Sequence, residues 1–178
     1  KNHKLFIESL ARMKKHCNKN LKAIIVGDGE LREALIQHCK HVGLKTRING
    51  TAVPDADVIF TSWLRDVDEV YAGSELAALT SFNEGTPVSL IEALAAGTPV
   101  VSTNVGGIED IVNHQKNGLL VPTDNISAFT DGLNKLTTNE QLRATMAVEA
   151  KKSINGQFSY SRLVKDKANL YNKLLQKK

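Results

Sequence analysis

The chain has 178 residues, 42% hydrophobic and 24% charged, enough to bury the core of one ordinary globular domain and too few for two large ones. That balance excludes disorder, and 12 Gly, 4 Pro and 5% aromatics exclude collagen-like and low-complexity chains. The net charge of +4, from 23 Lys and Arg against 19 Asp and Glu, suits a phosphate-bearing ligand or an anionic membrane face and falls short of the basic stripe of a nucleic-acid binder.

The chain opens on Lys1, not Met, and runs at once into a helix-like segment, so it reads as a piece of something longer. No apolar run nears the ~20 residues of a membrane-spanning helix, and no signal-peptide pattern is present. Helical period covers Leu5 to Cys17, and the first strand is predicted at Leu21 to Val26. A helix over Glu30 to Val42 follows, then strands at Thr46 to Ile48 and Asp57 to Phe60, with Asn49 to Asp57 as the longest loop-like piece. The second half alternates in the same way. Helix Asp66 to Gly73 precedes strand Glu75 to Thr80, helix Pro87 to Ala96 precedes strand Pro99 to Thr103, and helix Ile108 to Asn113 precedes strand Gly118 to Val121. Three more helices run from Asn125 to the end. The order argues for an α/β fold, a Rossmann-like parallel sheet with helices on both faces. Cys17 and Cys39 form no CxxC pair and read as reduced thiols of a cytosolic protein.

The segment LTSFNEGTPVSLIEALAAGTPVVSTNVGGIEDIV, Leu79 to Val112, carries the most information. Thr86 can cap a helix, Pro87 fits its first position, and Gly97 with Pro99 ends it. A buried strand therefore hands over to a helix N-terminus at the carboxyl edge of the sheet. There the amides of Gly85, Thr86, Val88 and Ser89 and the helix dipole favour an anion such as phosphate. Glu84 and Glu92 frame that site, eight residues apart. As carboxylates they can accept hydrogen bonds from sugar and ribose hydroxyls; equally, Glu84 can serve the helix start and Glu92 a solvated face.

NEGTPVSLIEALAAGTPVVSTNVGGIEDIV resembles the donor-site signature of family 4 retaining glycosyltransferases: two glutamates separated by seven residues, then EALAAGTPVV, then a Gly-Gly loop. IIVGDGELREAL is similar to that family's second strand and Gly-rich turn, NGLLVPTDN to the loop after its last strand, and FSYSRLVKDKANLY to its C-terminal crossing helix. The resemblance covers most of the chain and implies one half of a GT-B fold, in which two Rossmann-like domains face a cleft. On this reading residues 1–178 form a single nucleotide-sugar-binding domain. Its crossing helix falls at 159–175, and the N-terminal acceptor domain lies elsewhere.

The resemblance implies residue roles. Glu84 matches the glutamate that contacts the transferred sugar, and Glu92 the one that holds the nucleotide ribose. Gly85, Thr86 and Val88 match backbone that meets the diphosphate and sugar, and Lys1 the diphosphate-binding lysine, whose partner arginine would lie upstream. Trp63, Leu64 and Arg65 match the region where the base rests, with Ser62 in place of the usual glycine.

Other signals are weaker. Gly27 and Gly29 read as a tight strand-to-helix turn near the cleft rather than a phosphate cradle, because a full GxGxxG is absent. Gly106 and Gly107 either admit a ligand or serve the backbone alone. The pairs Asp55/Asp57 and Asp66/Asp68 imitate a metal-binding DxD without its position at a strand end, and Asp66 and Asp68 suit a helix start. His38, Cys39 and His41 read as a solvated helix end, with no metal spacing. Arg12, Lys14, Lys15, Lys19 and Lys22 form a solvated face or a contact with an anionic inner leaflet.

The expected function is the donor-binding half of a retaining glycosyltransferase. A nucleotide-diphosphate sugar is the donor, a glycan or lipid-linked molecule the acceptor, and neither cofactor nor metal is needed. The expected location is cytoplasmic, with possible contact at the membrane face, and the piece alone is expected to be inactive. A sugar-nucleotide epimerase of the same architecture and a non-catalytic nucleotide-sugar-binding module are the alternatives.

Overall fold

The computed structural model describes residues 1–16, 21–48, 51, 53–154 and 156–176. Helix α1 (His3–His16) leads into strand β1 (Ala23–Ile25), α2 (Arg32–His41), β2 (Thr46–Ile48) and β3 (Val58–Phe60). Helix α3 (Val67–Ala72) is followed by β4 (Ala77–Leu79), α4 (Val88–Ala96), β5 (Val100–Thr103) and β6 (Gly118–Val121). Helices α5 (Ile126–Thr138), α6 (Glu140–Ile154) and α7 (Tyr160–Leu175) complete the chain. Cys17, Lys19 and part of the Asn49 to Asp57 loop lie outside the described residues.

All strand pairs are parallel, in two three-stranded sheets of order β1-β3-β2 and β4-β5-β6. Among the described residues one edge of β1 and one edge of β4 carry no strand partner. Alternation along β5 shows why an all-aliphatic strand belongs here. Val100 packs into a cluster with Leu90, Leu94 and Ile108 of the α4 side, whereas Val101 packs with Phe129, Leu133 and Leu136 of α5. Neither valine is exposed at all, so this sheet is covered by helices on both faces. In the other sheet Ala23, Val58 and Phe60 pack under Ile7, Ala11, Ile36 and Cys39 of α1 and α2. Its opposite face leaves Ile24 and Val26 43% and 40% exposed.

Besides shifts of one or two residues at several strand and helix ends, two readings differ from expectation. Thr86 does not cap α4: Pro87 is the cap residue, extended at ψ 104°, and its carbonyl accepts from the Leu90 and Ile91 amides. The proline ring holds the residue before it extended, which leaves Thr86 outside the helix end. The helix expected at Ile108 to Asn113 is a 3-10 turn, Gly106–Ile108, with further turns behind it. Buried Asn117 explains the difference. Its side chain accepts from the Asn113 amide at 2.8 Å and donates to the Ile111 carbonyl at 3.2 Å and to Ser153 Oγ at 2.9 Å, closing the turn in place of further helix. Gly97, expected at the helix end, is there at φ +83°.

Candidate functional site

Because every strand runs the same way, the loops that leave the strands gather at one edge of each sheet. From β4 comes Ser81 to Pro87, the route to α4. Glu84 Oε1 accepts a hydrogen bond from Ser81 Oγ at 2.6 Å and forms an ion pair with Lys1 Nζ. Partial burial pushes the Glu84 carboxyl upward, but hydrogen bonds from Lys1 and Ser81 and the charge of Lys1 outweigh it, so its pKa lies below the ordinary value. The loop after β5 supports this turn from behind. The Gly107 amide donates to the Glu84 carbonyl at 3.2 Å, and a β-carbon on Gly106 or Gly107 would overlap the carbonyls of Glu84 and Gly85 respectively. The two glycines thus have a conformational role, the one that lets two loops touch through their backbones.

The amides of Gly85, Thr86, Val88 and Ser89 have no partner among the described residues, and no atom lies within 4 Å of a β-carbon built on Gly85. This is an open array of donors at the N-terminus of α4, beside the paired Lys1. Glu92 lies further along α4 on an exposed position, where the Tyr71 hydroxyl donates to its Oε2 at 3.3 Å.

The loops after β1 and β3 meet at the edge of the other sheet. The Gly27 amide donates to the Ser62 carbonyl at 3.3 Å, and Arg32 of α2 donates to the carbonyls of Gly27 and Thr61. Gly27 has φ +108°, as a tight turn after a strand requires. A cavity of about 230 Å³ opens against Gly27, Asp28, Gly29, Phe60, His3 and Lys1. Lys1 lines this cavity and pairs with Glu84, so it joins the two halves of the edge. Burial, and then the positive charges of the N-terminal amine and of Lys1, hold His3 below its ordinary pKa. Trp63 is 80% exposed, Leu64 is half-buried and Arg65 exposed in the loop after β3. The anticipated loop residues thus stand at the carboxyl edges, and Glu92 stands further along α4. Ser81, Tyr71 and His3 were not anticipated, and Tyr71 meets Glu92 only through the packing of α3 against α4.

Other candidates resolve differently. Asp57 accepts from Lys14 Nζ at 2.7 Å and from the Lys45 amide at 2.6 Å, a structural tie. Asp66 occupies the cap position of α3, yet its side chain makes no cap bond. Cys39 corrects the solvated-end reading: it is fully buried under the β1-β3-β2 sheet, although His41 is exposed. Its neighbour His38 places Nε2 3.3 Å from Glu8 Oε1. Of the basic cluster, Arg12 donates to Ser127 at 3.4 Å, Lys14 holds Asp57, and Lys22 donates to the Ala56 carbonyl at 2.8 Å. Among the described residues no group of three His, Cys, Asp or Glu could hold a metal, and no helix is long and apolar enough to cross a membrane.

The family model described as "Glycosyl transferases group 1" matches residues 1–153. The chain belongs to that family. It is 30% identical over 152 residues to a Campylobacter jejuni α-1,4-N-acetyl-D-galactosaminyltransferase acting on an undecaprenol-diphosphate-linked glycan, covering 85% of this chain and 39% of that protein. HepE of Anabaena, solved with UDP-glucose, superimposes at a TM-score of 0.83 and 26% identity, covering 97% of this chain and 45% of HepE. The C-terminal domain of a Francisella tularensis group 1 glycosyl transferase shares the fold at a TM-score of 0.72 and 24% identity, over 90% of this chain and 80% of that domain. This member of the group 1 family spans 35–39% of the length of the first curated relatives it matches. The parallel sheets with flanking helices are those of GT-B glycosyltransferases.

Proposed function

We propose that this chain is the C-terminal, donor-binding half of a retaining glycosyltransferase that uses a nucleotide-diphosphate sugar. The observation that carries the reading is the amide array of Gly85, Thr86, Val88 and Ser89, unpartnered among the described residues, beside the Lys1 and Glu84 pair and at the start of the helix that bears Glu92. A diphosphate would take the amides and Lys1 in place of a metal ion, a fit of charge and geometry that works best in a site shielded from water. Glu84, ionised and held by Ser81, would accept from hydroxyls of the transferred sugar, and Glu92 from the ribose. The base would rest by Trp63, Leu64 and Arg65. HepE, with its bound UDP-glucose, supports a nucleotide sugar as donor.

In the reaction we propose, an acceptor hydroxyl attacks the anomeric carbon on the face the diphosphate leaves. The new carbon–oxygen bond forms as the bond to the phosphate oxygen breaks, and the proton passes to the leaving diphosphate. The protein's contribution is placement and charge stabilisation. The acceptor, a glycan or lipid-linked molecule, would be held by a second domain. Helix α7 would cross back to that domain: it has no buried residue, and Leu163, Val164, Leu170, Tyr171 and Leu174 are all exposed.

Titration of UDP, GDP and ADP into the full-length protein and its Glu92→Ala variant tests the reading. At least one nucleotide should bind, with affinity lowered in the variant by roughly 1–3 kcal/mol for a lost acceptor. Unchanged affinity would count against the ribose assignment.

A further inference from the structure

Glu92 stands on an exposed position of α4, and its carboxylate has one hydrogen-bond partner among the described residues, the hydroxyl of Tyr71. The tyrosine itself is fixed at both ends. Its half-buried side chain packs against the cluster of Leu90, Leu94 and Ile111, and its carbonyl accepts from Thr98 Oγ1 at 2.9 Å. Thr98 is buried at the exit of α4, where its amide donates to the Ala93 carbonyl at 2.8 Å. The end of α3 is thereby fastened to the helix that carries Glu92. An exposed carboxylate is thus met by a phenol whose own place is set by packing and a backbone bond.

We propose that Tyr71 is a positioning residue for donor binding: by holding Glu92 Oε2 it aims Oε1 at the ribose hydroxyls of a nucleoside diphosphate. This deepens the donor-site reading and rests on it. An unrestrained glutamate gives up rotamer freedom when a ligand arrives, and a carboxylate already tethered gives up less. The 3.3 Å separation is long for a hydroxyl donor, as such bonds commonly are before a ligand is bound. Burial, then the charge of Glu92 and the bond to it, pushes the Tyr71 hydroxyl up to about 12, so it stays a donor at neutral pH.

The test uses the full-length protein and whichever of UDP, GDP and ADP binds it most tightly. Tyr71→Phe keeps the ring and removes the hydroxyl. It should leave the melting temperature unchanged and weaken the nucleotide about three- to tenfold, the size of one hydrogen bond's net contribution. In a Glu92→Ala background the same substitution should have no effect, and for the 2′,3′-dideoxy nucleotide it should have none in either background. If Glu92→Ala weakens binding but Tyr71→Phe does not, the positioning role is wrong and the donor site stands. An equal loss with and without Glu92, or with and without the ribose hydroxyls, means that the hydroxyl acts through something other than Glu92 and overturns the proposal. If Glu92→Ala itself leaves affinity unchanged, the ribose assignment fails and the proposal with it.

Discussion

The carbonyl oxygen of Glu84 lies where a β-carbon on Gly106 would have to stand, so the turn that carries the first glutamate is pressed onto the Gly-Gly loop after β5. Gly106 has φ +53° as well, a conformation that costs an L-residue roughly 1–2 kcal/mol. Gly106→Ala should therefore lower stability by at least that amount in urea unfolding and, by displacing Glu84 and Gly85, weaken nucleotide binding. Gly29→Ala is the control, because its β-carbon meets no atom within 4 Å and its φ needs no glycine. Equal stability of the two variants would remove the buttressing role.

Asp57 ties the end of α1 to the start of β3 through Lys14 and the Lys45 amide. Burial pushes its carboxyl upward, and the bonds from Lys14 and Lys45 with the charges of Lys14 and Lys22 bring it below the ordinary 3.8. A carboxyl whose folded pKa is depressed contributes stability above its unfolded value and loses it as pH falls through the folded one. Asp57→Asn should thus cost about 1–2 kcal/mol at pH 7. The difference from the parent should shrink as pH falls below about 4. Urea midpoints at pH 7 and pH 3 decide it, and a gap that persists at pH 3 would contradict the assignment.

Burial, then the nearby charge of Asp57, pushes the Cys39 thiol up to about 11. Since the thiolate is the reactive form, in a Cys17→Ser variant Ellman's reagent should label Cys39 only as fast as the domain opens. Rapid stoichiometric labelling of the folded protein would show that Cys39 is accessible after all.

The sheet was legible because aliphatic runs such as VVST must be covered on both sides, and Val100 and Val101 do diverge to opposite faces. Helix α4 was legible to within a residue. Pro87 suits either the cap or the first helical position, and only the backbone angles separate the two. Glu84 and the amides of the α4 turn could be placed together because the junction of a parallel strand and a helix has one geometry, whereas Lys1 joined them only through the family resemblance. What the sequence could not carry were contacts between distant segments. Tyr71 reaches Glu92 across 21 positions, Gly106 meets Glu84 across 22, and Asn117 replaces an expected helix by bonding to Ser153. Each depends on how elements pack, which local pattern does not encode.

The cleft of a GT-B enzyme has two walls, and holding donor and acceptor together is worth as much as ~7–11 kcal/mol. Residues 1–178 expressed alone should bind nucleotide weakly and transfer no sugar, with or without manganese, in a radiolabelled-transfer assay. Robust transfer by this chain alone would show that it holds both substrates.

The division of labour between the two glutamates is the centre of the account, and Glu84→Gln in the full-length enzyme tests it most directly. Turnover and nucleotide affinity are measured on the same preparation, with the nucleotide sugar that the wild type uses. Turnover should fall by about 10- to 100-fold, the equivalent of one hydrogen bond to a charged group, while affinity for the free nucleoside diphosphate stays within twofold, about 0.4 kcal/mol. Equal losses of turnover and nucleotide affinity would contradict it, placing Glu84 on the nucleotide and not on the sugar.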